Sequence, residues 1–508
     1  MEKKSRTEYS AKNTTAAVVC RMAAILAGFV TRVVFTRTLN ESYVGVNGLF
    51  TDILNVLALS ELGVGTAITY ALYGPIASGD TEKQKALMQM YRKFYRIVAA
   101  FVLGAGILVV PFLNVLIKNP PEVSNLTLIY LMYLANSALS YLFIYKRTLI
   151  DAHQLIYIGT LYQTVFLLIQ DALQIVILLT TKNFILFLSI YILCTIGTNL
   201  SISRKADKLY PYLKEPVAEK LSKDEKADIF RNIRAMLMHK VGGVVVNNTD
   251  NLLLSSMVGI VSVGKYSNYY LLSGSVRQVL DQIFFGITAS VGNLGVTEKP
   301  ERVKQIFETS FFIGQWLYGF AAVCLYELLS PFVAVSFGSK YVFDANIVFV
   351  ICLNFYITGM RKASLVFRDS LGLFWYDRYK SVFEAAINLI ASVFLALKFG
   401  AAGVFLGTFI STVTTSLWVE PFVLYKYHLK TPVWRYFRLY LLYASILAAA
   451  WYVTDLACGF ISGGYIRLIA GRLCVCIIVP NVIMLIAYCR RKEFRFVLNK
   501  GMELLNRR

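Results

Sequence analysis

The chain alternates long apolar runs with short clusters of charged and polar residues. Because about 20 apolar residues cross the hydrocarbon core of a bilayer as a helix, each run predicts one membrane span. We predict fourteen spans, at 13–36, 44–72, 92–117, 124–145, 155–180, 184–203, 237–258, 266–295, 306–330, 343–360, 379–397, 402–424, 436–455 and 465–489. The alternating ten-residue segments of an outer-membrane barrel do not occur. The pattern therefore predicts an all-α, polytopic membrane protein.

Composition supports this class. Of the 508 residues, 57% are hydrophobic and only 16% are charged, whereas a soluble domain carries about 25% charged residues. The formal net charge is +21. In a soluble protein that charge would suggest nucleic acid, but the cytoplasmic loops of membrane proteins collect Lys and Arg. We therefore expect a lipid bilayer as partner and no nucleic acid.

The distribution of positive charge predicts the topology. With the N-terminus in the cytoplasm, 40 of the 51 Lys and Arg residues fall on the cytoplasmic side and five within spans. The outward connectors hold only six, namely Arg37, Lys118, Lys182, Lys265, Lys340 and Lys398. A miscounted helix would invert this alternation from that point onward. The bias therefore predicts that both termini are cytoplasmic.

A polar stretch near the middle of the chain predicts a linker. Pro211 and Pro216 interrupt residues 204–235, where Ser222 and Glu225 have the spacing of a helix capping box. We therefore divide the chain into an N-terminal lobe (helices 1–6), a cytoplasmic linker, a C-terminal lobe (helices 7–12), and helices 13 and 14 with a basic cytoplasmic tail. Their ranges are 1–203, 204–235, 236–430 and 431–508.

A faint internal repeat suggests that the lobes are related. A shift of 219 residues places Val44-Gly45 on Val263-Gly264 and the basic segment after helix 2 on the one after helix 8. Few identities survive, so coincidence remains an alternative to duplication. A duplication would give two six-helix lobes related by a pseudo-two-fold axis along the membrane normal.

Charges inside the predicted spans indicate a polar cavity. Arg21 and Arg32 are eleven residues apart, which places them on one face of helix 1. A lone arginine at a helix centre costs a few kcal/mol in lipid, so this face should meet protein or water. Arg32 lies near a helix end, however, where it could also extend to the interface.

Further polar residues concentrate in helices 2, 7 and 8, which carry Asp52 and Glu61, then Asn247 and Asp250, then Arg277 and Asp281. Since helices 1, 2, 7 and 8 would meet at a two-fold interface, we predict a central cavity. Two structural alternatives remain open for some of the charges. Arg277 and Asp281 could neutralise each other at i,i+4 spacing, and Glu384 and Glu420 could be solvated at cytoplasmic helix ends.

Arginines in such a cavity favour an anionic ligand, because guanidinium binds phosphate through two parallel hydrogen bonds. We predict that the substrate contacts Arg21, Arg32, Arg277, Asn247 and Asp250. Asp52, Glu61 and Asp281 would balance charge or carry a coupling ion. No cysteine or histidine spacing suggests a metal, so we expect no metal, no catalytic residue and no cofactor. The energy source would be H⁺, Na⁺ or the membrane potential.

Helix 1 and the segments NESYVGVNGLFTDILNVLALSELGVGTAITYAL, NNTDNLLLS and VGKYSNYYLL resemble the polysaccharide exporter branch of the multidrug/oligosaccharidyl-lipid/polysaccharide exporter superfamily. They are most similar to bacterial O-antigen and teichoic-acid-type flippases. The resemblance implies alternating access in the bacterial cytoplasmic membrane, beside polysaccharide polymerases and glycosyltransferases. The implied cargo is an oligosaccharide linked to undecaprenyl pyrophosphate.

Several alternatives remain. Related lipid II flippases carry cavity arginines in helices 1, 2 and 8, whereas helix 2 here offers Asp52 and Glu61, which argues against lipid II as cargo. A cation-coupled multidrug exporter would share the fold. A membrane-embedded polymerase or glycosyltransferase would need a large outward loop, but the outward connectors are about a dozen residues or shorter. A primary ATP-driven pump would need a P-loop, which is absent.

Overall fold

The computed structural model describes residues 6–57, 68, 71–72, 74–76, 78–117, 123, 125–153, 155–217, 221–227, 229–230, 249–373 and 376–505. Nearly all of these residues are helical, and no strand occurs among them. The predicted all-α class is therefore confirmed.

Sixteen helices of the described part are labelled here in chain order. In the first half they are α1 (Arg6–Thr38), α2 (Glu41–Leu57), α3 (Thr81–Val109), α4 (Leu126–Phe143), α5 (Tyr145–Ala152), α6 (Ile156–Thr181) and α7 (Phe184–Leu209). In the second half they are α8 (Ile260–Thr297), α9 (Pro300–Ser336), α10 (Ala345–Ser370), α11 (Lys380–Phe399), α12 (Ala401–Thr414), α13 (Ser416–Leu424), α14 (Trp434–Gly459), α15 (Tyr465–Tyr488) and α16 (Lys492–Leu505).

Ten helical segments of the described part are long and apolar enough to cross a membrane, and the bent pair α4–α5 raises the number to as many as eleven. They coincide with the first, third to sixth and ninth to fourteenth predicted spans, which gives the chain the make-up of a multi-pass membrane protein. The eighth predicted span lies within α8 but is too polar to be counted with them. The second and seventh spans run into residues 58–67 and 231–248, outside the described residues. The total of fourteen therefore stays a prediction.

The chain forms two compact units, residues 1–264 and 265–508. In the first unit α1 packs along α6, which packs on α7. Phe35 of α1 contacts Phe184 at the start of α7, with ring centroids 5.6 Å apart. The predicted lobe ranges and the internal repeat remain predictions.

A close backbone approach joins α2 to the start of α8 within the first unit. A Cβ atom on Gly45 would lie 2.1 Å from the carbonyl oxygen of Ile260, and one on Gly264 would lie 3.0 Å from that of Glu41. Just before this contact, a π-helical turn at Leu254–Val258 ends at Gly259, whose φ of 135° excludes most side chains. Glycine is therefore required where α2 meets the turn and the start of α8.

In the second unit α9 packs against α10, α14 and α15. Gln315 of α9 donates from Nε2 to the carbonyl oxygen of Tyr443 at 3.1 Å and accepts from the hydroxyl of Tyr356 at 2.7 Å. These two bonds join α9 to α14 and α10. The α11–α12 hairpin is held by Gly403 and Gly407, where any added Cβ would strike backbone atoms of α11.

Several helices are longer than the apolar runs predicted. α3 begins at Thr81, where the Asp80 side chain accepts from the backbone of Lys83, so the basic segment continues directly into a span. α10 continues ten residues beyond its predicted end at 360. In the linker, the predicted capping box is confirmed, because Ser222 N donates to Glu225 Oε2 at 3.0 Å and Glu225 N donates to Ser222 Oγ at 3.1 Å.

Candidate functional site

An open cavity of about 520 Å³, with a mixed polar and apolar lining, lies in the first unit between α1, α4, α6 and α7. Arg21 of α1 is exposed to it. Arg21 is also the one charged side chain among the described residues that line it, which are Cys20, Arg21, Ala24, Ser140, Ile144, Thr160, Gln163, Thr164, Phe166, Leu167, Gln170, Tyr191, Cys194, Thr195, Thr198 and Asn199. The cavity is therefore cationic.

Hydroxyl and amide side chains line part of the cavity, beside apolar side chains such as Phe166 and Leu167. Thr160, Thr164, Thr195 and Thr198 each donate to the carbonyl oxygen four residues earlier, at 2.7–3.1 Å. Because each hydroxyl has one proton and two lone pairs, its oxygen is left to accept hydrogen bonds. The cavity thus combines one cation with several acceptors, an arrangement that suits a hydroxyl-rich anion.

Arg32, the second arginine of α1, is not among the cavity-lining residues. Its guanidinium carbon lies 5.9 Å from the ring centroid of Phe35, one turn further along α1. Beside it, the buried side chain of Thr31 lies against Asp171 of α6. The structure therefore brings Arg21, but not Arg32, to this cavity.

Asp52 of α2 is tied to the segment before the π-helical turn. Asn251 donates from Nδ2 to Asp52 Oδ2 at 2.5 Å, within the first unit. Asp250 is buried in the same segment. Glu61 and Asn247 lie outside the described residues. Asp52 therefore has a fixed amide partner.

Arg277 and Asp281 lie on α8 in the second unit, and the alternative that they neutralise each other at i,i+4 spacing is wrong. Asp281 instead binds Lys362 of α10, whose Nζ lies 2.7 Å from Oδ2, and it accepts from the hydroxyl of Tyr318 at 2.5 Å. The guanidinium of Arg277 lies over the ring of Phe355, 5.7 Å from its centroid. Its buried Nε finds no acceptor in the described part of the chain. Lys362 adds a cation that the sequence prediction had placed in a loop.

The alternative that Glu384 and Glu420 are solvated at cytoplasmic helix ends is wrong. Glu420 is fully buried, with Arg361 Nη2 2.7 Å from Oε1 and Nε 3.2 Å from Oε2. Arg361 also lies 3.3 Å from Glu384, and Lys380 contacts Glu420. These four residues are termed the Arg361 network. Ser416 adds a hydrogen bond of 2.5 Å to Glu384.

The Arg361 network could not be predicted from the apolar run, because that run ends at residue 360, directly before Arg361 and Lys362. One signal was available, since two acids in adjacent predicted spans require cationic partners in lipid. The charged groups of the Arg361 network are paired with one another and join α10, α11 and α13. The network is therefore not part of the candidate site.

Within the described residues, no three His, Cys, Asp or Glu side chains are grouped so as to hold a metal ion.

No protein-family model and no curated protein matches the chain. Solved structures do match, and their common fold is that of transporters of the MOP superfamily. The structure of the lipid II flippase MurJ in an inward closed conformation covers 94% of this chain and 98% of its own, with a TM-score of 0.63 and 13% identity.

Two transporters of the MATE family are also similar. An inward-facing multidrug resistance transporter covers 80% of this chain and 98% of its own, with a TM-score of 0.62 and 13% identity. The Vibrio cholerae transporter VcmN covers 84% and 99%, with a TM-score of 0.56 and 15% identity. Identities this low show a shared fold and do not identify the cargo.

Proposed function

We propose that the protein is a flippase that moves an oligosaccharide linked to undecaprenyl pyrophosphate across the bacterial cytoplasmic membrane, with both termini in the cytoplasm. The product would serve cell-surface polysaccharide synthesis, beside a polymerase and glycosyltransferases. The observation that carries the proposal is the cavity that Arg21 lines together with threonine, asparagine and glutamine side chains and several apolar ones.

The chemistry of that cavity matches the two polar parts of the cargo. A guanidinium binds phosphate oxygens through paired, charge-assisted hydrogen bonds. The hydroxyl oxygens of Thr160, Thr164, Thr195 and Thr198 already have their protons engaged, so they accept from sugar hydroxyls. The polyprenyl tail would stay in lipid.

The physical task is to lower the barrier for a pyrophosphate. An isolated anion in hydrocarbon is unfavourable by many kcal/mol, and a cationic, hydrated path reduces that barrier. We propose that Arg32, Arg277, Asn247 and Asp250 contribute further contacts to the cargo. Asp52, Glu61 and Asp281 would balance charge. Direction would come from H⁺, Na⁺ or the membrane potential, which supplies about 2.3 kcal/mol per charge per 100 mV.

Two other cargoes remain as outcomes of the test. A cationic drug is disfavoured because no carboxylate is among the described residues that line the Arg21 cavity. Lipid II shares the polyprenyl pyrophosphate, and the MurJ structure has a similar fold. However, Asp52 stands in the helix where related lipid II flippases carry a cavity arginine, and its carboxylate is bound to Asn251.

The test is flipping by the full-length protein in proteoliposomes that contain a defined undecaprenyl-pyrophosphate oligosaccharide. A membrane-impermeant glycosidase measures the fraction of the cargo exposed outside. Loss of a charge-assisted hydrogen bond is worth about 1.5–3 kcal/mol, so we expect R21A to slow flipping about 10- to 100-fold and R21K to slow it less.

Arg37→Ala is the matched control, because Arg37 is an exposed residue in the last turn of the same helix and does not line the cavity. Parallel vesicles contain lipid II or a fluorescent cationic drug. Transport of only one of these would assign the protein to that cargo. Wild-type flipping by both R21A and R277A would overturn the proposal.

A further inference from the structure

A cluster of two cations and one acid joins three helices of the second unit. On α8, Arg277 lies one turn before Asp281 and on the same face. Lys362 of α10 lies 2.7 Å from one oxygen of Asp281, and the Tyr318 hydroxyl of α9 donates to the other at 2.5 Å. The ring of Phe355 contacts both Arg277 and the ring of Tyr318. Arg277, Asp281, Tyr318 and Lys362 are termed the Lys362 cluster.

Close packing of α9 on α10 fixes the position of Asp281. A Cβ atom on Gly359 would lie 2.2 Å from Cδ1 of Tyr318, so the phenol ring lies directly on the backbone of α10. Its ring centroid is 5.9 Å from that of Phe355, one turn before Gly359. The hydroxyl that holds Asp281 is therefore supported by packing and does not depend on Lys362.

The charges of the cluster are not balanced. Arg277 and Lys362 are cations, whereas Asp281 is the one acid that the described residues place in contact with them. The neighbouring Arg361 is engaged by Glu384 and Glu420 of the Arg361 network. The buried Nε of Arg277 also meets no acceptor in the described part of the chain. Since an excess positive charge in a membrane protein requires an anion or water, the cluster is suited to bind an anion.

The ion pair of the Lys362 cluster differs from those of the Arg361 network. The side chains of Lys362 and Asp281 are 27% and 28% exposed, whereas Arg361 and Glu420 are 13% and 0% exposed. Lys362 makes one contact to the acid, and an ammonium has three N–H donors. Arg361 holds Glu420 at two points. The Lys362–Asp281 pair can therefore exchange partners without opening a buried core.

We propose that Arg277 and Lys362 together bind the pyrophosphate group of the cargo, and that Lys362 exchanges the Asp281 carboxylate for a phosphate oxygen. Tyr318 keeps Asp281 in place while the anion is bound, so Asp281 competes with the anion for Lys362. A pyrophosphate that joins two organic groups has an ionised oxygen on each phosphate, which matches one guanidinium and one ammonium. This inference rests on the proposed function for the identity of the cargo.

The test is calorimetric titration of the full-length protein in nanodiscs of zwitterionic lipid with inorganic pyrophosphate at constant ionic strength. We expect K362M to weaken binding about 10- to 100-fold, because a charge-assisted contact is lost. D281N should act in the opposite direction and strengthen binding about threefold or more, since the competing carboxylate is removed. Asparagine still accepts the hydrogen bond from Tyr318.

The opposite signs distinguish an exchangeable pair from a permanent structural one. A permanent pair would be damaged by either substitution, so weaker binding in folded D281N would overturn the proposal. Wild-type affinity in K362M, or no binding by either the wild type or D281N, would also overturn it. Lys398→Met is the matched control, because Lys398 is an exposed lysine in the last turn of α11, and we expect it to bind as the wild type does.

A double variant guards against misfolding. K362M leaves the Asp281 carboxylate without its cation, whereas D281N/K362M removes both charges, so it should bind pyrophosphate about 10- to 100-fold more weakly than D281N. Thermal unfolding in the same nanodiscs identifies the folded variants. No transport is measured here, so a negative result leaves the flippase proposal standing. Conversely, the expected binding changes in a protein that flips no cargo would leave the anion site standing alone.

Discussion

Arg361 and Glu420 form a two-point ion pair inside the second unit, with guanidinium Nη2 and Nε at 2.7 and 3.2 Å from the two carboxylate oxygens. The pair joins α10 to α13, and Lys380 and Glu384 connect it to α11. Since a buried pair is stabilising only while both partners remain, its members should respond very differently to single and double replacement.

We expect Glu420→Ala to lower the free energy of unfolding by about 3–5 kcal/mol, because Arg361 and Lys380 would lose their common carboxylate. The double variant R361M/E420L should be less destabilised than E420A, since it buries one uncompensated charge fewer. Thermal unfolding in detergent measures both effects. If the single and double variants lose equal stability, the pair is not coupled.

Asp52 and Asn251 give a second prediction, within the first unit. Asn251→Leu would leave the half-buried Asp52 carboxylate without its 2.5 Å donor, so we expect a loss of about 1–3 kcal/mol. Asp52→Asn keeps a hydrogen-bonding partner for Asn251 and should lose less. Chemical denaturation in lipid–detergent micelles compares the two variants. A greater loss in D52N than in N251L would contradict the observed donor and acceptor roles.

A substitution at Gly45 tests the close approach of α2 to the start of α8, and the same substitution at Gly28 is its control. Gly45→Ala would place a Cβ 2.1 Å from the backbone oxygen of Ile260, and we expect a loss of about 1–3 kcal/mol or more. Gly28→Ala meets nothing within 4 Å, and it should stabilise α1 by about 0.5–1 kcal/mol. Unfolding temperatures give the comparison, and equal effects in the two variants would contradict the packing.

We expect the stability of the linker helix to depend on pH through the Glu225 carboxyl. Hydrogen bonding to Lys83, aided by the backbone of Ser222, holds the pKa of the Glu225 carboxyl below its usual 4.5. Because the folded pKa is depressed, the contribution to stability is fully present above about pH 4.5 and is lost as the pH falls through the lower folded value. Amide exchange of residues 223–227, corrected for intrinsic rates, should accelerate in that acid range.

Glu225→Gln separates charge from capping. Glutamine retains the capping-box hydrogen bond but cannot titrate, so exchange should become independent of pH in the acid range. A pH dependence that persists in E225Q would assign the effect to another group. Salt should also weaken the effect in the wild type, since Lys83 and Glu225 are exposed and screened.

Local patterns predicted much of the fold. The apolar runs located the spans from α9 onward because each run is long enough by itself to cross a bilayer. The capping box between Ser222 and Glu225 was predictable because both partners lie within one helical turn. These features depend on neighbours in the sequence and need no tertiary information.

Partners distant in sequence could not be predicted. Asp281 binds Lys362, on another helix, in preference to Arg277 one turn away. Arg361 was placed in a loop because its charge interrupts an apolar run, although carboxylates 23 and 59 residues away compensate it inside the unit. Arg21 was predicted to face a central cavity between helices 1, 2, 7 and 8, and that cavity stays a prediction. The cavity that Arg21 lines lies within the first unit, and its role there is also a prediction.

The Arg361 network also has a consequence for biogenesis. α10 leaves the ribosome before Glu384 and Glu420 have been synthesised. The segment therefore enters the bilayer while the Arg361 guanidinium still has no carboxylate partner. That residue costs about 2.5–3.5 kcal/mol at the centre of a helix in translocon-mediated insertion. Integration of α10 should therefore stay reversible until α11 and α13, which carry Glu384 and Glu420, have been synthesised and their carboxylates bind Arg361. The order in which these helices are made therefore controls the assembly of this half.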